Sequence, residues 1–313
     1  MSTTTTSKTN TAGAFEEIGF SVAQGANWSE YLAFRPIYPK SFFQRIYQYH
    51  SEKNGTEWLT AHDNGAGCGV VSSTLADRFK NVIVSDPNDG YATLAQKILT
   101  EEVGIPASRL RFLQEGAEKS SVESNSVDLV TACECIHWTD TAVAIKEFGR
   151  VLKTGGTVAI THYTVPRIVG NEAAQKAWNA IYQVYSQRAQ SELLTHAFRI
   201  INTGLDCLEF PGNEWKEVKR IYINAQGTID SFKTNERVGE SKVGSTDEKV
   251  WVENDADWID EKDIVWLKGY IGTWVPVLPE SEAQDLWDEL EKALNGKKAK
   301  LETPVAIVLA TKS

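Results

Sequence analysis

Short apolar runs alternate along the chain with segments whose apolar residues recur every three or four positions, from Trp58 to about Thr161. Val71, Leu75 and Phe79 are spaced four residues apart, which places them on one face of a helix. Strands that alternate with helices predict a mostly parallel sheet with helices on both faces. The predicted strands are 58–64, 82–86, 110–114, 127–133 and 157–161. A further strand is predicted at 218–225, within the later part of the chain, and a last one at 304–310.

Helices are predicted between these strands and beyond them. Thr139 or Asp140 can cap the amino end of one helix, because their side chains accept hydrogen bonds from free backbone N–H groups. Gly155 and Gly156 can end it, since glycine adopts positive φ easily. The other predicted helices are 40–50, 70–79, 91–103, 171–198, 264–275 and 280–294.

The alternation changes after Tyr163, where long helical segments and an acidic run follow. We therefore predict four parts. Residues 1–14, rich in Ser, Thr and Asn, form a disordered tail. Residues 15–164 form the sheet domain with a helical cover at its amino end. Residues 165–275 form an inserted α-rich lobe over the strand ends, and residues 276–313 add a helix and a last strand that complete the sheet.

Composition limits the partners of this chain. Its 313 residues are 42% hydrophobic and 24% charged, enough for a large core. The net charge of −10 argues against a nucleic-acid surface, which needs a concentrated basic patch. No stretch is apolar enough to cross a membrane, and the amino end lacks the apolar core of a secretion signal. The four cysteines have no regular spacing, which fits a reducing compartment, so we expect a cytoplasmic protein. We expect it to be a monomer or a homodimer.

Polar residues suited to chemistry lie where the predicted strands end. Asp63 opens a glycine-rich turn after the first strand, and Asp86 ends the second strand. Such a turn lets the backbone approach a nucleoside cofactor, and Asp86 offers a carboxylate to the ribose hydroxyls. The glycines alternate with other residues and do not follow the Gly-x-Gly-x-x-Gly spacing of dinucleotide sites. This spacing favours S-adenosylmethionine, which has no pyrophosphate to bind at a helix N-terminus.

Several segments of the chain form a recognisable combination. They are Tyr31–Pro39 (YLAFRPIYP), Asp63–Gly69 (DNGAGCG), Ser85–Pro87 (SDP), Gly116–Glu118 (GAE), Val130–Trp138 (VTACECIHW) and Arg150–Gly156 (RVLKTGG), with a fainter match at Ile271–Trp274 (IGTW). Together they resemble class I S-adenosylmethionine-dependent methyltransferases, and more narrowly the fungal trans-aconitate methyltransferase type. The resemblance covers residues 15–163 well and the rest thinly. It implies a Rossmann-like methyltransferase fold, with a mostly parallel seven-stranded sheet and an inserted lobe over the active site.

The resemblance also implies roles for individual residues. The backbone of Gly65 and Gly67 would pass the methionyl part of the cofactor, and Asp86 would accept both ribose hydroxyls. Asp63 would either orient the glycine turn through hydrogen bonds or contact the cofactor amine. The complete set of implied cofactor contacts is Tyr31, Arg35, Asp63, Asn64, Gly65, Ala66, Gly67, Asp86, Pro87, Gly116, Ala117, Glu118, Ala132, Cys133 and Glu134.

The implied acceptor side contains one candidate catalytic residue, His137. It would act as a general base or orient the acceptor, or else serve a structural role after a buried strand. Trp138, Tyr163 and Trp274 would contact the acceptor. No metal site is expected, because Cys133 and Cys135 have no second ligand pair and suit small apolar filling.

The expected activity is methyl transfer to an oxygen, carboxylate or hydroxyl, of a small organic acid or secondary metabolite. A carboxylate acceptor is already ionised and needs no base, whereas a hydroxyl acceptor does. One alternative keeps the cofactor as a fixed positive charge that steers a cyclisation or rearrangement without methyl transfer. Another is a binding or regulatory module, which the intact glycine turn and Asp86 argue against.

Overall fold

The computed structural model describes residues 28–53, 55–88 and 90–313. The predicted tail at 1–14 and the start of the predicted helical cover lie outside the described residues. Among the helices that the structure describes, none is both long and apolar enough to cross a membrane.

The described residues form eleven strands and nine α-helices, in a βα alternation up to Tyr163. The strands are β1 (Thr60–Asn64), β2 (Asn81–Ser85), β3 (Leu110–Leu113), β4 (Val127–Cys133), β5 (Leu152–Tyr163), β6 (Arg167–Ile168), β7 (Trp215–Ile223), β8 (Glu248–Val252), β9 (Ile259–Lys262), β10 (Ala299–Glu302) and β11 (Val305–Lys312). The helices are α1 (Trp28–Phe34), α2 (Lys40–Ser51), α3 (Val70–Arg78), α4 (Tyr91–Lys97), α5 (Thr141–Val151), α6 (Glu172–Arg188), α7 (Glu192–Ile201), α8 (Ile264–Gly272) and α9 (Gln284–Leu294).

Eight of these strands form one twisted sheet in the order β3-β2-β1-β4-β5-β11-β7-β8. Strands β1 to β5 are parallel, and β11 is antiparallel to both of its neighbours. The predicted mostly parallel sheet is confirmed, with eight strands where seven were predicted. The strand order reverses between β1 and β4, the place where ligands bind in open α/β sheets.

The predicted lobe at 165–275 is wrong in one respect, because the chain returns to the main sheet within it. Strand β7 pairs with β11 and β8, so 215–223 and 248–252 belong to the sheet. The reason is hydrophobic: Ile221, Tyr222 and Ile223 are all buried, which requires cover on both faces of the strand. The lobe itself consists of α6 to α9 with a small sheet of β6, β10 and β9.

The single helix predicted at 171–198 is two helices. Asn171 caps α6 and Ser191 caps α7, each side chain accepting from a backbone N–H three residues later. Ser191 is a typical N-cap residue, and it was the signal for this break.

Helix α3 begins at the end of the glycine-rich turn, and its start depends on Gly69. This residue has a φ of 87°, and a Cβ there would lie 2.9 Å from a methyl carbon of Leu99. Only glycine meets both conditions without strain. Leu99 lies in the helical turn that follows α4, so the glycine-rich turn packs against that segment beside the end of β1.

Helix α5 follows β4 and is capped by Asp140, whose carboxylate accepts hydrogen bonds from the N–H groups of Ala142 and Val143. We expect Asp140→Ala to lower the free energy of unfolding by about 1 kcal/mol, because these donors lose their partner. Asp140→Asn is the control, since its side-chain oxygen can still accept. Urea unfolding at pH 7 measures both variants, and equal losses in the two would contradict the capping role.

Candidate active site

A cavity of about 280 Å³ opens at the carboxyl ends of β1, β2 and β4. Parallel strands end at the same edge of the sheet, so the polar segments that follow them meet there. Sixteen residues predicted for the site line this cavity: Tyr31, Arg35, Asp63, Gly65, Ala66, Gly67, Asp86, Pro87, Gly116, Ala117, Glu118, Cys133, Glu134, His137, Trp138 and Tyr163.

Three predicted site residues do not line this first cavity. Ala132 is fully buried in the core, because side chains alternate along β4 and the neighbouring Cys133 takes the cavity side. Asn64 is also buried, and its side-chain oxygen lies 3.4 Å from the Ser85 hydroxyl. Trp274 lines a second cavity next to the first. Ala132 and Asn64 therefore do not line the first cavity.

The carboxylate of Asp63 is almost entirely buried and ties the glycine-rich turn to its neighbours. It accepts hydrogen bonds from the hydroxyls of Ser72 on α3, at 2.6 Å, and Thr131 on β4, at 2.7 Å. Burial raises the pKa of Asp63 from 3.8 to about 6, and the two hydrogen bonds act in the opposite direction. Of the two predicted roles, these contacts favour orienting the turn.

Asp86 joins the end of β2 to the glycine-rich turn. One carboxylate oxygen accepts from the N–H of Gly67 and the other from the N–H of Asn88, both at 3.0 Å. Burial raises the pKa of Asp86 to about 6, while these bonds lower it. The side-chain amide of Asn88 also donates to Oδ1, at 3.2 Å. A carboxylate has about four acceptor positions, so Oδ2 keeps one for a ligand hydroxyl.

A second cavity of about 110 Å³ adjoins the first and is enclosed by the lobe. Five residues line both cavities and form a wall that the two cavities share. They are Arg35, Glu134, His137, Trp138 and Tyr163. The far wall is aromatic, formed by Tyr182, Tyr185, Phe198, Tyr270 and Trp274. The Trp274 ring packs edge to face against Tyr182, Tyr185 and Tyr270, and its centroid is 4.6 Å from that of Tyr185.

His137 stands in a single turn of 3₁₀ helix after β4 and is 8% exposed. Burial lowers the pKa of His137 well below its ordinary value, and the nearby charges of His162 and Arg35 act in the same direction. The imidazole is therefore neutral at pH 7. Its Nδ1 is buried and has no hydrogen-bond partner among the described residues.

Sequence reasoning missed His162, which lines the second cavity. Its Nδ1 lies 3.3 Å from the Glu134 carboxylate, which also accepts from the N–H of Tyr163. The only sequence signal was a histidine just beyond the predicted strand at 157–161. Glu134 itself has a φ of 56°, rare for a residue with a side chain, and this conformation is typical of functional sites.

Glu134, His137 and His162 also bear on the prediction that the chain has no metal site. One ligand atom from each lies within 4.8 Å of the others, close enough for a shared cation after a small adjustment. The Glu134 carboxylate is already in contact with the His162 ring and accepts from the N–H of Tyr163, whereas Nδ1 of His137 has no hydrogen-bond partner among the described residues. The absence of a metal site stays a prediction.

Comparison with known proteins shows what this chain is similar to. Residues 62–160 match the model of a methyltransferase domain. The methyltransferase cfoB of Aspergillus candidus is 29% identical over 91% of this chain and 94% of its own length. The methyltransferase ptaI of Pestalotiopsis fici is also 29% identical, over 91% of this chain and 92% of its own. The chain is therefore similar to fungal methyltransferases over most of its length, and to methyltransferase domains over residues 62–160.

A solved structure supports the fold of this chain. A protein from Anaeromyxobacter dehalogenans, described as a type II methyltransferase, superposes with a TM-score of 0.59 over 89% of this chain and 98% of its own. At 19% identity this likeness concerns the fold alone, and the predicted Rossmann-like methyltransferase fold is confirmed. The narrower resemblance to trans-aconitate methyltransferases is not confirmed by these relatives.

The raised pKa of Asp63 predicts how the stability of this protein depends on pH. A carboxyl group whose folded pKa is about 6 favours folding while protonated, and this contribution is lost as pH rises from about 4 through 6. Asp63→Asn cannot ionise there. Its free energy of unfolding, measured by urea at several pH values, should gain about 2 kcal/mol relative to wild type between pH 4.5 and 7. A constant difference between the two proteins would contradict the shifted pKa.

Proposed function

We propose that this protein transfers the methyl group of S-adenosylmethionine to an oxygen of a small aromatic acceptor of the secondary-metabolite type. The observation that carries the proposal is the pair of adjoining cavities with one shared wall. A polar-edged cavity at the strand ends suits the cofactor, and an aromatic cavity under the lobe suits the acceptor. The shared wall is where the methyl carbon and the acceptor oxygen would meet.

The residues of the first cavity fit the cofactor. Asp86 keeps one acceptor position, on Oδ2, for a ribose hydroxyl, while Ala117 and Glu118 lie beyond it for the adenine. Tyr31 and Arg35 come from the segment that precedes the sheet domain and close the cavity from the other side. The bound cofactor supplies an activated methyl group, and the protein positions it against the acceptor.

The second cavity favours an apolar aromatic acceptor over a polycarboxylic acid. A cluster of Arg or Lys residues would be needed to bind several carboxylates, and Arg35 is the single Arg or Lys among the described lining residues. Its guanidinium donates to the hydroxyl and the backbone oxygen of Thr273 and lies over the Tyr270 ring. The five aromatic side chains instead offer ring faces and edges to a flat acceptor.

The activity is tested by incubating the protein with S-adenosylmethionine and two acceptor panels, one of mono- and polycyclic phenols and one of small carboxylic acids. The proposal expects release of S-adenosylhomocysteine with a phenol and a product one methyl group heavier. Methylation confined to the carboxylic acids would contradict the aromatic acceptor. A product of unchanged mass, without S-adenosylhomocysteine, would favour a cyclisation or rearrangement.

Asp86 is expected to contribute directly to cofactor affinity. Asp86→Asn replaces the charged acceptor of the ribose hydroxyls, so the Kd for S-adenosylmethionine should rise about 10- to 100-fold by calorimetry. Asp77→Asn, an exposed change on α3 of the same kind, should leave the Kd within twofold. An unchanged Kd in the Asp86 variant would remove this residue from the cofactor site.

Trp274 is expected to contribute to acceptor binding only. Trp274→Leu keeps an apolar side chain but removes the ring that packs on Tyr185 and Tyr182, so the KM for the best phenol should rise about 10-fold. The Kd for S-adenosylmethionine should stay within twofold, which also shows that the variant is folded. Trp251→Leu is the matched control, because Trp251 stacks on Tyr222 in the main sheet, away from both cavities. A normal KM in the Trp274 variant would contradict the acceptor assignment.

A further inference from the structure

We propose that His162, held by Glu134, accepts the proton of the acceptor's hydroxyl group, and that the acceptor is therefore a phenol or an enol and not a carboxylate. The inference rests on the proposed methyl transfer and names its base and its acceptor class. It departs from the sequence prediction, which assigned this role to His137.

The Glu134 carboxylate fixes both the orientation and the tautomer of His162. A carboxylate can only accept, so the contact of 3.3 Å requires a proton on Nδ1 of His162 and leaves Nε2 as the acceptor atom. A second donor, the N–H of Tyr163, holds the same carboxylate in place. His162 would be the base, and Glu134 would be the group that supports it. The carboxylate stabilises the imidazolium that forms when Nε2 takes a proton.

The backbone supports this arrangement on both sides. Glu134 follows β4 with a φ of 56°, and its N–H donates to the carbonyl of Thr161 on β5 at 3.0 Å. His162 stands near the end of β5, where it pairs with Ala306 of β11 in the middle of the sheet. Both side chains therefore come from rigid elements, which is what a catalytic contact requires.

Nε2 of His162 is an unused acceptor. It is buried, and no described residue donates to it. A buried imidazole nitrogen without a partner is costly, so its presence beside a ligand cavity needs an explanation. His162 lines the second cavity and not the first. A hydroxyl of the acceptor would satisfy this nitrogen from the correct side.

His137 is less suited than His162 to accept the proton of the acceptor's hydroxyl group. It lines both cavities, and no described side chain or backbone group hydrogen-bonds its ring. Burial lowers the pKa of His137 well below the ordinary value, which makes it a weak proton acceptor. Its position in the shared wall, next to Trp138, suits contact with the methyl group and the ring of the acceptor.

Titratable groups from every element around the second cavity face the same space. Besides the histidines, they are Glu134 after β4, Arg35 after α1, and four tyrosines, namely Tyr163, Tyr182, Tyr185 and Tyr270. Burial raises the pKa of all four tyrosines, so they stay neutral near pH 7. Glu134 and Arg35 are thus the charges that His162 meets, and Glu134 is the one in direct contact.

The step balances without any further reactant. The O–H bond of the acceptor breaks and its proton binds Nε2 of His162, while an oxygen electron pair forms the new bond to the methyl carbon. The bond from that carbon to sulfur breaks, and its electron pair stays on sulfur in S-adenosylhomocysteine. The imidazolium then releases the proton to water. A carboxylate acceptor has no proton to lose, so it would leave this histidine without a function.

The test compares His162→Asn, His137→Asn and the control His196→Asn, which changes an exposed histidine outside both cavities. Each is assayed with the best phenol and with a nitro-substituted analogue that is already ionised at neutral pH. We expect His162→Asn to lose about 100-fold or more in kcat on the phenol and less than about 5-fold on the analogue. Its residual rate on the phenol should rise tenfold per pH unit, as hydroxide ionises the acceptor. His137→Asn should show no such difference between the two acceptors, and His196→Asn should match wild type.

Glu134→Gln is the second variant, and it serves if His162→Asn does not fold. It should lose about 10-fold in kcat on the phenol, with a smaller loss on the ionised analogue. Equal losses on both acceptors, or a larger acceptor-dependent loss in His137→Asn, would overturn the assignment to His162. Loss of activity with a chelator and recovery with Zn²⁺ would also overturn it, in favour of a metal centre on Glu134, His137 and His162. A wild type that methylates no phenol at all would remove the proposed function together with this inference.

Discussion

The buried carboxylate of Asp63 is the constraint on which the first cavity depends. Its two oxygens accept from Ser72 at the start of α3 and from Thr131 on β4, so one side chain fixes a turn, a helix and a neighbouring strand. A carboxylate in the interior is tolerated only with such partners. With the turn held in this way, the N–H of Gly67 reaches Asp86 at the end of β2. Hydrogen bonds within the chain therefore fix the shape of the first cavity at this edge of the sheet.

Between the two cavities, the Glu134 carboxylate joins neighbouring elements as Asp63 does beside the first cavity. Its left-handed backbone conformation turns the carboxylate from the end of β4 towards β5, where it meets the N–H of Tyr163 and the ring of His162. In the proposed function, the sheet would supply the cofactor cavity and the group that accepts the proton, and the aromatic side chains of the lobe would line the space for the acceptor.

Local patterns in the sequence predicted much of the fold and of the cofactor side. The strand predicted at 127–133 has those bounds in the structure, and the polar strand ends meet because parallel strands share one edge. Long-range pairing was not predictable in this way: β7 joins the sheet through β11, more than eighty residues later in the chain. The same holds for His162, since no local pattern reveals that Glu134 bends back to it. Ala132 was predicted beside Cys133 and Glu134, but its side chain is buried in the core, because adjacent residues of a strand face opposite sides.

We propose that the methyl group is transferred at the wall that the two cavities share. The most direct measurement is a crystal structure of the protein with S-adenosylhomocysteine bound. We expect the ribose hydroxyls within hydrogen-bond distance of Asp86, and the sulfur at the shared wall beside Glu134 and His137, facing the aromatic cavity. A sulfur directed away from that cavity, or an adenosyl group bound elsewhere on the molecule, would contradict the account.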